Sequence, residues 1–366
     1  MIEATCIKKI RNKDNKITHY LLQDKDGNQL TVTASQLKTV VAQNKIDITN
    51  LILTSDNRLI DKKVAKIKKQ IDTDQIEKII YKLKILGFNM TEIDTSCGHK
   101  IYISNNTDNN VLCIPDNVRI IVRSSKDTKY GNILKSMRGN LRVIGGKGLV
   151  STEFLFANCN LKSIDITEFD TSNAINMNFM FYNCKADYIN IELLNTSKVK
   201  LMHYMFSRCS INGLNIRGLD TSKVIDMVGM FALSDIERLD ISGINTSNVK
   251  NMGYMFWCCK AKSINVNGLN TSNVKDMSVM FTGCKLDSID LSSFNTSNVI
   301  NMDEMFSGCT INNLILNNFD TSNVTTMYKM FYKSTIYNLD ISSFNMENVK
   351  NKELMLDDCN IYNIIK

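Results

Sequence analysis

The chain has 366 residues, of which 43% are hydrophobic and 22% charged, and its formal net charge is +7 at pH 7. This apolar fraction excludes a disordered protein, and the lack of any run of 18 apolar residues excludes a membrane-spanning helix. The first residues lack the basic stub and apolar stretch of a signal peptide, which predicts a cytoplasmic protein. Charge is divided unevenly, because residues 1–150 carry a net of +11 and residues 151–366 a net of −4.

Residues 1–60 predict a small α+β module. Alternating apolar residues indicate strands at Thr5–Ile10 and Ile17–Gln23, and residues 24–27 indicate a hairpin turn after the second strand. A helix fits Ser35–Gln43, and further strands are expected at Ile46–Leu53 and Arg58–Ile60.

Residues 61–96 predict a basic helical connector. Its lysines form a candidate basic patch of Lys62, Lys63, Lys66, Lys69, Lys78 and Lys82. A run of this kind is most simply a solvated helix face, and it is also typical of a surface that binds phosphates or an acidic partner. Both interpretations stay open.

Residues 97–150 predict a β-rich region. Apolar and polar residues alternate at Lys100–Ile103 and Val118–Val122, and residues 141–143 resemble the first strand of the repeats that follow. The first repeat would otherwise expose the edge of a sheet, so we expect this region to cap the solenoid.

Residues 151–366 are a tandem repeat with a 25-residue period. Met-Phe recurs at this interval from Met180-Phe181 to Met330-Phe331, and Thr-Ser recurs from Thr171-Ser172 to Thr321-Ser322. Cysteine follows three residues after the phenylalanine in most units. A fixed period without insertions indicates a solenoid, in which each unit buries its apolar side chains against its neighbours.

Each unit starts with an alternating triplet such as Ile264-Asn265-Val266, which predicts a short strand of a stacked parallel sheet. A turn with Thr-Ser follows. The next apolar residues, exemplified by Val274, Met277, Met280 and Phe281, have the spacing of one face of a short helix. The predicted fold is therefore an α+β N-terminal region followed by an α/β leucine-rich-repeat-like solenoid with a stacked parallel sheet. In that fold the methionines and cysteines are core ladders rather than metal ligands.

A family resemblance rests on these repeats. Residues 294–309 read Phe-Asn-Thr-Ser-Asn-Val-Ile-Asn-Met-Asp-Glu-Met-Phe-Ser-Gly-Cys, which resembles the BspA-like leucine-rich repeats of bacterial proteins. The resemblance covers about residues 150–366. It implies a leucine-rich-repeat-like solenoid used for binding, often by surface proteins.

Two repeat positions that should face solvent carry irregular aromatic residues. Phe179, Tyr204 and Tyr254 share one position, and Tyr182, Trp257 and Tyr332 share the other. Tyr and Trp are enriched in binding hot spots, and a recognition surface need not repeat faithfully as a core ladder does. We therefore predict that these six residues bind a partner. The alternative, that they pack over the loops of the repeats themselves, stays open.

The sequence offers no catalytic or cofactor motif. A Gly-rich phosphate loop, a nucleophile elbow, a zinc-protease helix and paired carboxylates are all missing, so we expect no enzyme and no catalytic residues. The eleven cysteines include no CxxC pair and the three histidines are far apart, so no metal or other cofactor is expected. His203 has no evident partner. The polar residues of the strand triplets are expected to form a hydrated row: Asp165, Asn190, Asn215, Asp240, Asn265, Asp290 and Asp340.

These observations favour a non-enzymatic protein–protein interaction module that acts inside the cell. A narrower hypothesis is a phage- or mobile-element-encoded inhibitor of a host defence nuclease, since residues 1–60 weakly resemble a small module of mobile-element proteins from low-GC bacteria. The alternatives are a protein that contacts nucleic acid through its basic N-terminal half and a surface adhesin, as in exported members of the resembled family. No membrane contact is expected, and the oligomeric state stays open.

Overall fold

The computed structural model describes residues 2–11, 17–24, 29–33, 51–53, 59–61, 76–94, 99–104, 108–119, 121, 129–212 and 214–366. The chain divides into two compact units, Met1–Ile79 and Ile80–Lys366.

The first unit contains a five-stranded antiparallel sheet with the strand order β3-β2-β1-β4-β5. The two predicted N-terminal strands are confirmed, because β1 and β2 pair antiparallel. The hairpin turn predicted at residues 24–27 lies between β2 and β3, which also pair antiparallel, and residues 25–27 lie outside the described residues. The predicted helix at Ser35–Gln43 lies outside the described residues. The bounds are Ile2–Arg11 for β1, Ile17–Asp24 for β2, Gln29–Thr33 for β3, Leu51–Leu53 for β4 and Leu59–Asp61 for β5.

Helix α1 spans Ile76–Ile85 and is amphipathic. It buries Ile79, Ile80 and Leu83, while Lys78 and Lys84 are exposed. Apolar residues three and four positions apart line one face of an α-helix, which explains why the basic residues face away from the core. A second helix, α2, spans Lys129–Ser136.

The second unit opens with a seven-stranded sheet in which β6 to β12 lie side by side in the order in which they follow along the chain. Strands β6, β7 and β8 pair antiparallel, and from β8 onward every pair is parallel. The region before the repeats therefore continues the solenoid sheet and covers its first edge. The bounds are Met90–Asp94, Lys100–Ser104, Asn109–Ile114, Asn140–Gly145, Asn160–Phe169, Lys185–Ile189 and Ser210–Ile211 for β6 to β12.

One predicted strand of this region is wrong. Val118, Arg119 and Ile121 belong to no strand, because the chain turns after Pro115 and the Val118 N–H donates to the Pro115 carbonyl at 3.0 Å. Residues 120 and 122 lie outside the described residues.

The later rungs confirm the 25-residue repeat, because parallel partners stand one period apart, as in Leu239 with Ile264 and Ile311 with Ile336. The sheet is interrupted here into a pair, β13-β14, and a group of four, β15 to β18. The bounds are Arg238–Asp240, Ser263–Asn265, Lys285–Ser288, Thr310–Ile315, Thr335–Asp340 and Asn360–Ile365 for β13 to β18.

The short helix predicted in each repeat is wrong. The second half of a rung consists of turns and single parallel bridges, such as Asn251 with Asp276, and a 3-10 turn at Ile191–Leu193 is the one helical element in the described part of the repeats. Its backbone donors alternate between the next rung and the residue three positions back, as where the Phe181 N–H reaches the Met205 carbonyl at 2.9 Å and the Tyr182 N–H reaches the Phe179 carbonyl at 3.0 Å. Apolar residues three positions apart fit consecutive turns as well as they fit a helix. The architecture is thus a parallel-sheet solenoid of stacked turns with few helices.

The core is a set of columns that repeat one residue per rung. Phenylalanine rings stack from Phe156 to Phe331 with centroids 5.2 to 6.0 Å apart. The methionines beside them are buried throughout the regular rungs, as is the cysteine column, where burial raises the pKa of the Cys309 thiol to about 12. These residues are core, as the sequence predicts.

Candidate partner-binding surface

The predicted aromatic residues stand at a corner where each rung turns sharply. The residue before Met-Phe has a positive φ in every rung, with 55° at Phe179, 51° at Tyr204 and 59° at Tyr254. Residues other than glycine seldom adopt this left-handed conformation. Hydrogen bonds between rungs hold it here, because the N–H of Tyr204 donates to the Val228 carbonyl at 2.8 Å and the N–H of Tyr254 to the Ser278 carbonyl at 2.9 Å.

The first corners carry a stack of rings. Phe179 lies face to face with Phe154 at 4.6 Å and with Tyr204 at 5.2 Å, and Tyr182 meets the edge of Phe179 at 5.8 Å. All four side chains are half-buried. Sequence reasoning missed Phe154, although it stands one period before Phe179. The stack fixes the orientation of each ring without a partner.

Gly229 occupies the next corner and makes room for the end of the stack. A Cβ atom on this glycine, which has a φ of +60°, would overlap the ring of Tyr204. The Tyr204 ring therefore leans over the Gly229 rung toward Tyr254. Burial, followed by the proximity of Tyr254 and Asp226, raises the pKa of the Tyr204 hydroxyl above its ordinary value.

Tyr254 and Trp257 continue the surface beyond Gly229. Their rings meet at a right angle with centroids 6.0 Å apart. Tyr254 is 38% exposed and Trp257 is half-buried. We call the set from Phe154 to Trp257 the aromatic ridge; its members are Phe154, Phe179, Tyr182, Tyr204, Tyr254 and Trp257. The ridge spans four rung intervals, about 19 Å at the spacing of hydrogen-bonded strands.

Tyr332 lies apart from the aromatic ridge. It stands three rungs beyond Trp257, and the amines of Lys329 and Lys333 each lie 5.0 Å from its ring centroid. Lysine amines at this distance from a tyrosine ring form cation–π contacts. The structure thus brings five of the six predicted residues into one surface and places the sixth in a separate basic cluster.

His203 has a partner, contrary to the sequence expectation. Its Nε2 lies 3.0 Å from Oδ2 of Asp226, beside the ridge. The partner belongs to the next rung, two residues short of the period, so inspection of equivalent repeat positions does not reveal it.

The polar row of the strand triplets is less hydrated than expected. Asn190 is buried at 9% exposure and donates to Oδ1 of Asp165 at 3.2 Å. At Asp240, Oδ1 accepts from the backbone and hydroxyl of Ser242 at 3.0 and 2.7 Å, and the hydroxyl bond lowers the pKa of this carboxyl. Much of the row's hydrogen bonding is therefore used within and between the rungs.

Two residues of the predicted basic patch are described. Lys78 is exposed and Lys82 is half-buried on α1. The remaining four, Lys62, Lys63, Lys66 and Lys69, lie outside the described residues.

The repeats match a known family. The family model described as Mycoplasma protein of unknown function, DUF285, matches residues 150–268 and 258–365, which together are more than half of the chain. The chain belongs to the DUF285 family. The DUF285 region begins at the first rung and contains the whole aromatic ridge. No curated protein and no solved structure matches the chain. No helix among the described residues has the length and apolar character needed to cross a membrane.

Proposed function

We propose that the DUF285 solenoid is a non-enzymatic protein-interaction module whose partner binds the aromatic ridge. One observation carries the proposal: the corner keeps its backbone whatever residue it holds. Gly229, Val279 and Glu304 occupy the same corner with φ values of 60°, 60° and 56°. The fold does not require a ring at this position, so the cluster of rings on four of five consecutive rungs calls for another cause.

The ridge has the physical properties of an interface centre. Aromatic side chains offer about 150–250 Å² of contact each, and tyrosine and tryptophan are prominent among hot-spot residues. Because Phe154, Phe179 and Tyr204 are already stacked, their side chains would lose little conformational entropy when a partner binds. Tyr254 and Trp257 provide the more accessible end.

The proposal also includes the type of repeat and the place where the chain acts. The repeats are of the BspA-like type, and the chain acts inside the cell. The narrower hypothesis of a phage- or mobile-element-encoded inhibitor predicts that the partner is a host nuclease whose activity falls as the chain is added. Recovery of the chain from the cell surface would instead favour the adhesin role.

Site-specific photocrosslinking tests the ridge. A benzophenone amino acid replaces Tyr254 in one variant and Tyr188 in a matched control, which is 41% exposed on strand β11. We expect one discrete protein adduct from position 254 in a lysate of the encoding organism, resistant to nuclease and lost when Trp257→Ala is added. Equal adducts from both positions, or none from position 254, would contradict the proposal.

The alternative of nucleic-acid contact rests on a different part of the chain. Residues 1–150 carry a net charge of +11, and α1 presents Lys78 and Lys84 to solvent. Binding through phosphates weakens steeply with salt, because counterions are released. If this alternative holds, material captured by the full chain disappears after nuclease treatment, and Lys78→Glu with Lys84→Glu weakens binding to duplex DNA. If the partner binds the aromatic ridge instead, neither nuclease nor the two lysine substitutions should change which protein is captured.

A further inference from the structure

A second surface runs along the solenoid at the position two residues before the first methionine of each rung. The backbone N–H of each residue donates to the carbonyl of the equivalent residue in the preceding rung, from Lys200 onto Ile175 to Lys350 onto Thr325, at 2.8 to 3.0 Å. Because the bonded residues stand one period apart, their side chains line up at intervals of about 4.8 Å. The ladder is unbroken from Ile175 to Lys350.

Lysine recurs along this ladder without a carboxylate partner. Lys200, Lys250, Lys275 and Lys350 are exposed, and Lys198 and Lys223 stand two residues earlier in their rungs. Among the described residues none of these six forms an ion pair, whereas on the sheet side Lys262 pairs with Glu237 at 2.9 Å and Lys260 with Asp235 at 3.3 Å. These six lysines thus lie close to one line along a solenoid whose net charge is −4.

Isoleucine fills most of the other places in the ladder. Ile175, Ile225 and Ile300 are 40%, 42% and 43% exposed. The fold does not require them, because lysine occupies the equivalent position in the neighbouring rungs. We call this column, together with Lys198 and Lys223, the Lys–Ile stripe. It combines positive charge with apolar side chains over about 34 Å, the length of seven rung intervals.

One flank of the stripe is polar. In the column two residues earlier, which also contains Lys198 and Lys223, the asparagine side chains bond to the preceding rung, as where Asn248 Nδ2 donates to the Ser222 carbonyl at 2.6 Å and Asn298 Nδ2 to the Ser272 carbonyl at 2.7 Å. Beyond it lie exposed carboxylates such as Asp220, whose pKa is lowered by hydrogen bonds from Ser222 and also by the charge of Lys223. A broad anionic surface would meet these carboxylates, whereas a thin rod would not.

We propose that the Lys–Ile stripe binds an acidic amphipathic helix of a protein partner. A helix repeats every turn, about 5.4 Å, close to the rung spacing, so carboxylates spaced one per turn face lysines along much of the stripe. Leucine-like side chains beside them cover the exposed isoleucines. A nucleic-acid backbone offers no apolar group that would cover the isoleucines. The broad surface of an anionic bilayer would be repelled by the flanking carboxylates. The stripe and the aromatic ridge are independent surfaces.

A binding assay on the full chain tests the proposal. The probe is a fluorescein-labelled helical peptide of about 22 residues, the length that spans the stripe at about 1.5 Å per residue, with Glu and Leu on one face. Its control has the same composition in scrambled order. We expect the Lys250→Glu, Lys275→Glu variant to weaken peptide binding at least about tenfold, since each substitution replaces an attraction with a repulsion. The matched Lys260→Glu, Lys262→Glu variant, with the same charge change on the sheet side, should stay within about twofold.

The isoleucines have their own variant, Ile225→Ser with Ile300→Ser, which removes apolar surface without changing charge. We expect it to weaken peptide binding about threefold or more. Equal losses in the stripe and sheet-side variants, or equal binding of the designed and scrambled peptides, would overturn the proposal. Stripe-dependent binding of duplex DNA or of phosphatidylglycerol–phosphatidylcholine vesicles, without peptide binding, would overturn it in favour of another polyanion.

Discussion

The buried phenylalanine column and the corner position that carries the aromatic ridge lie two residues apart in every rung, yet they follow opposite rules. The buried column keeps Phe from Phe156 to Phe331, each ring stacked on the next. The corner holds phenylalanine, tyrosine, glycine, valine, glutamate and lysine on the same backbone. Packing against neighbours on both sides fixes the first position, whereas solvent leaves the second free.

This difference shows where function can be sought in a repeat protein. Where the backbone conformation is the same in every rung and the side chain varies, the fold does not determine which residue stands there. The ring cluster from Phe154 to Trp257 and the lysines and isoleucines of the stripe both satisfy this criterion. Four measurements test this contrast between the buried column and the corner.

The largest effect is expected in the buried column. Phe256→Ala removes a fully buried ring that contacts Phe231 at 6.0 Å and Phe281 at 5.2 Å. Large-to-small substitutions of this kind cost about 3–5 kcal/mol, because a cavity remains. Urea unfolding of the two proteins measures the loss. A cost near zero would show that the rungs can close over the gap and that the column is not essential.

Gly229→Ala tests the corner where a side chain has no room. The new Cβ would displace the Tyr204 ring, and a non-glycine residue at φ +60° adds strain, so we expect a loss of about 1–3 kcal/mol. The Tyr204→Ala background separates the two causes, because it removes the overlap and leaves the strain. The same loss in both backgrounds would contradict the packing of Tyr204 over Gly229.

Acid should weaken the rungs through their aspartates. Hydrogen bonds from Ser222 and Ser322 lower the folded-state pKa of Asp220 and Asp320 below the ordinary value of 3.8. Their contribution to stability is therefore complete above that value and is lost as the pH falls below it. The Asp220→Asn, Asp320→Asn variant should lose less Tm between about pH 5 and pH 3 than the unchanged chain.

Asparagine is a suitable replacement because it caps the same turn in other rungs, as at Asn295. Asp287→Asn is the control, an exposed carboxylate for which the structure shows no serine hydrogen bond among the described residues. An equal gain from the control would mean that net charge, rather than the turn, determines the acid response.

The smallest stability effect is expected on the ridge itself. Tyr254→Ala removes a partly exposed ring with one edge contact to Trp257, so we expect a cost of about 1 kcal/mol together with weaker capture of the partner. Chemical denaturation measures the first effect, and the amount of partner captured by the full chain from the same lysate measures the second. A cost close to that of Phe256→Ala would mean that the ring supports the fold rather than a partner.

Much of the fold could be predicted from the sequence, because a solenoid repeats its constraints once per rung. The 25-residue period determines the strand register, and the phenylalanine, methionine and cysteine columns identify the core. The aromatic ridge could also be predicted, since Phe179, Tyr204 and Tyr254 share one variable position beside the regular Met and Phe positions. Tyr332 was grouped with them because equivalent positions look alike in sequence although they lie rungs apart in space.

Other features were decided only by tertiary structure. Local spacing could not separate a short helix from stacked turns, because the donors that decide between them bond to the neighbouring rung, as from Phe181 to Met205. The contact of His203 with Asp226 and the ring of Tyr204 over Gly229 likewise cross from one rung to the next. The Lys–Ile stripe was present in the sequence at the same period, but its exposure and lack of ion pairs depend on which side of the rung faces solvent. Sequence alone determined what each rung contains, and the stacking of rungs determined what each side chain meets.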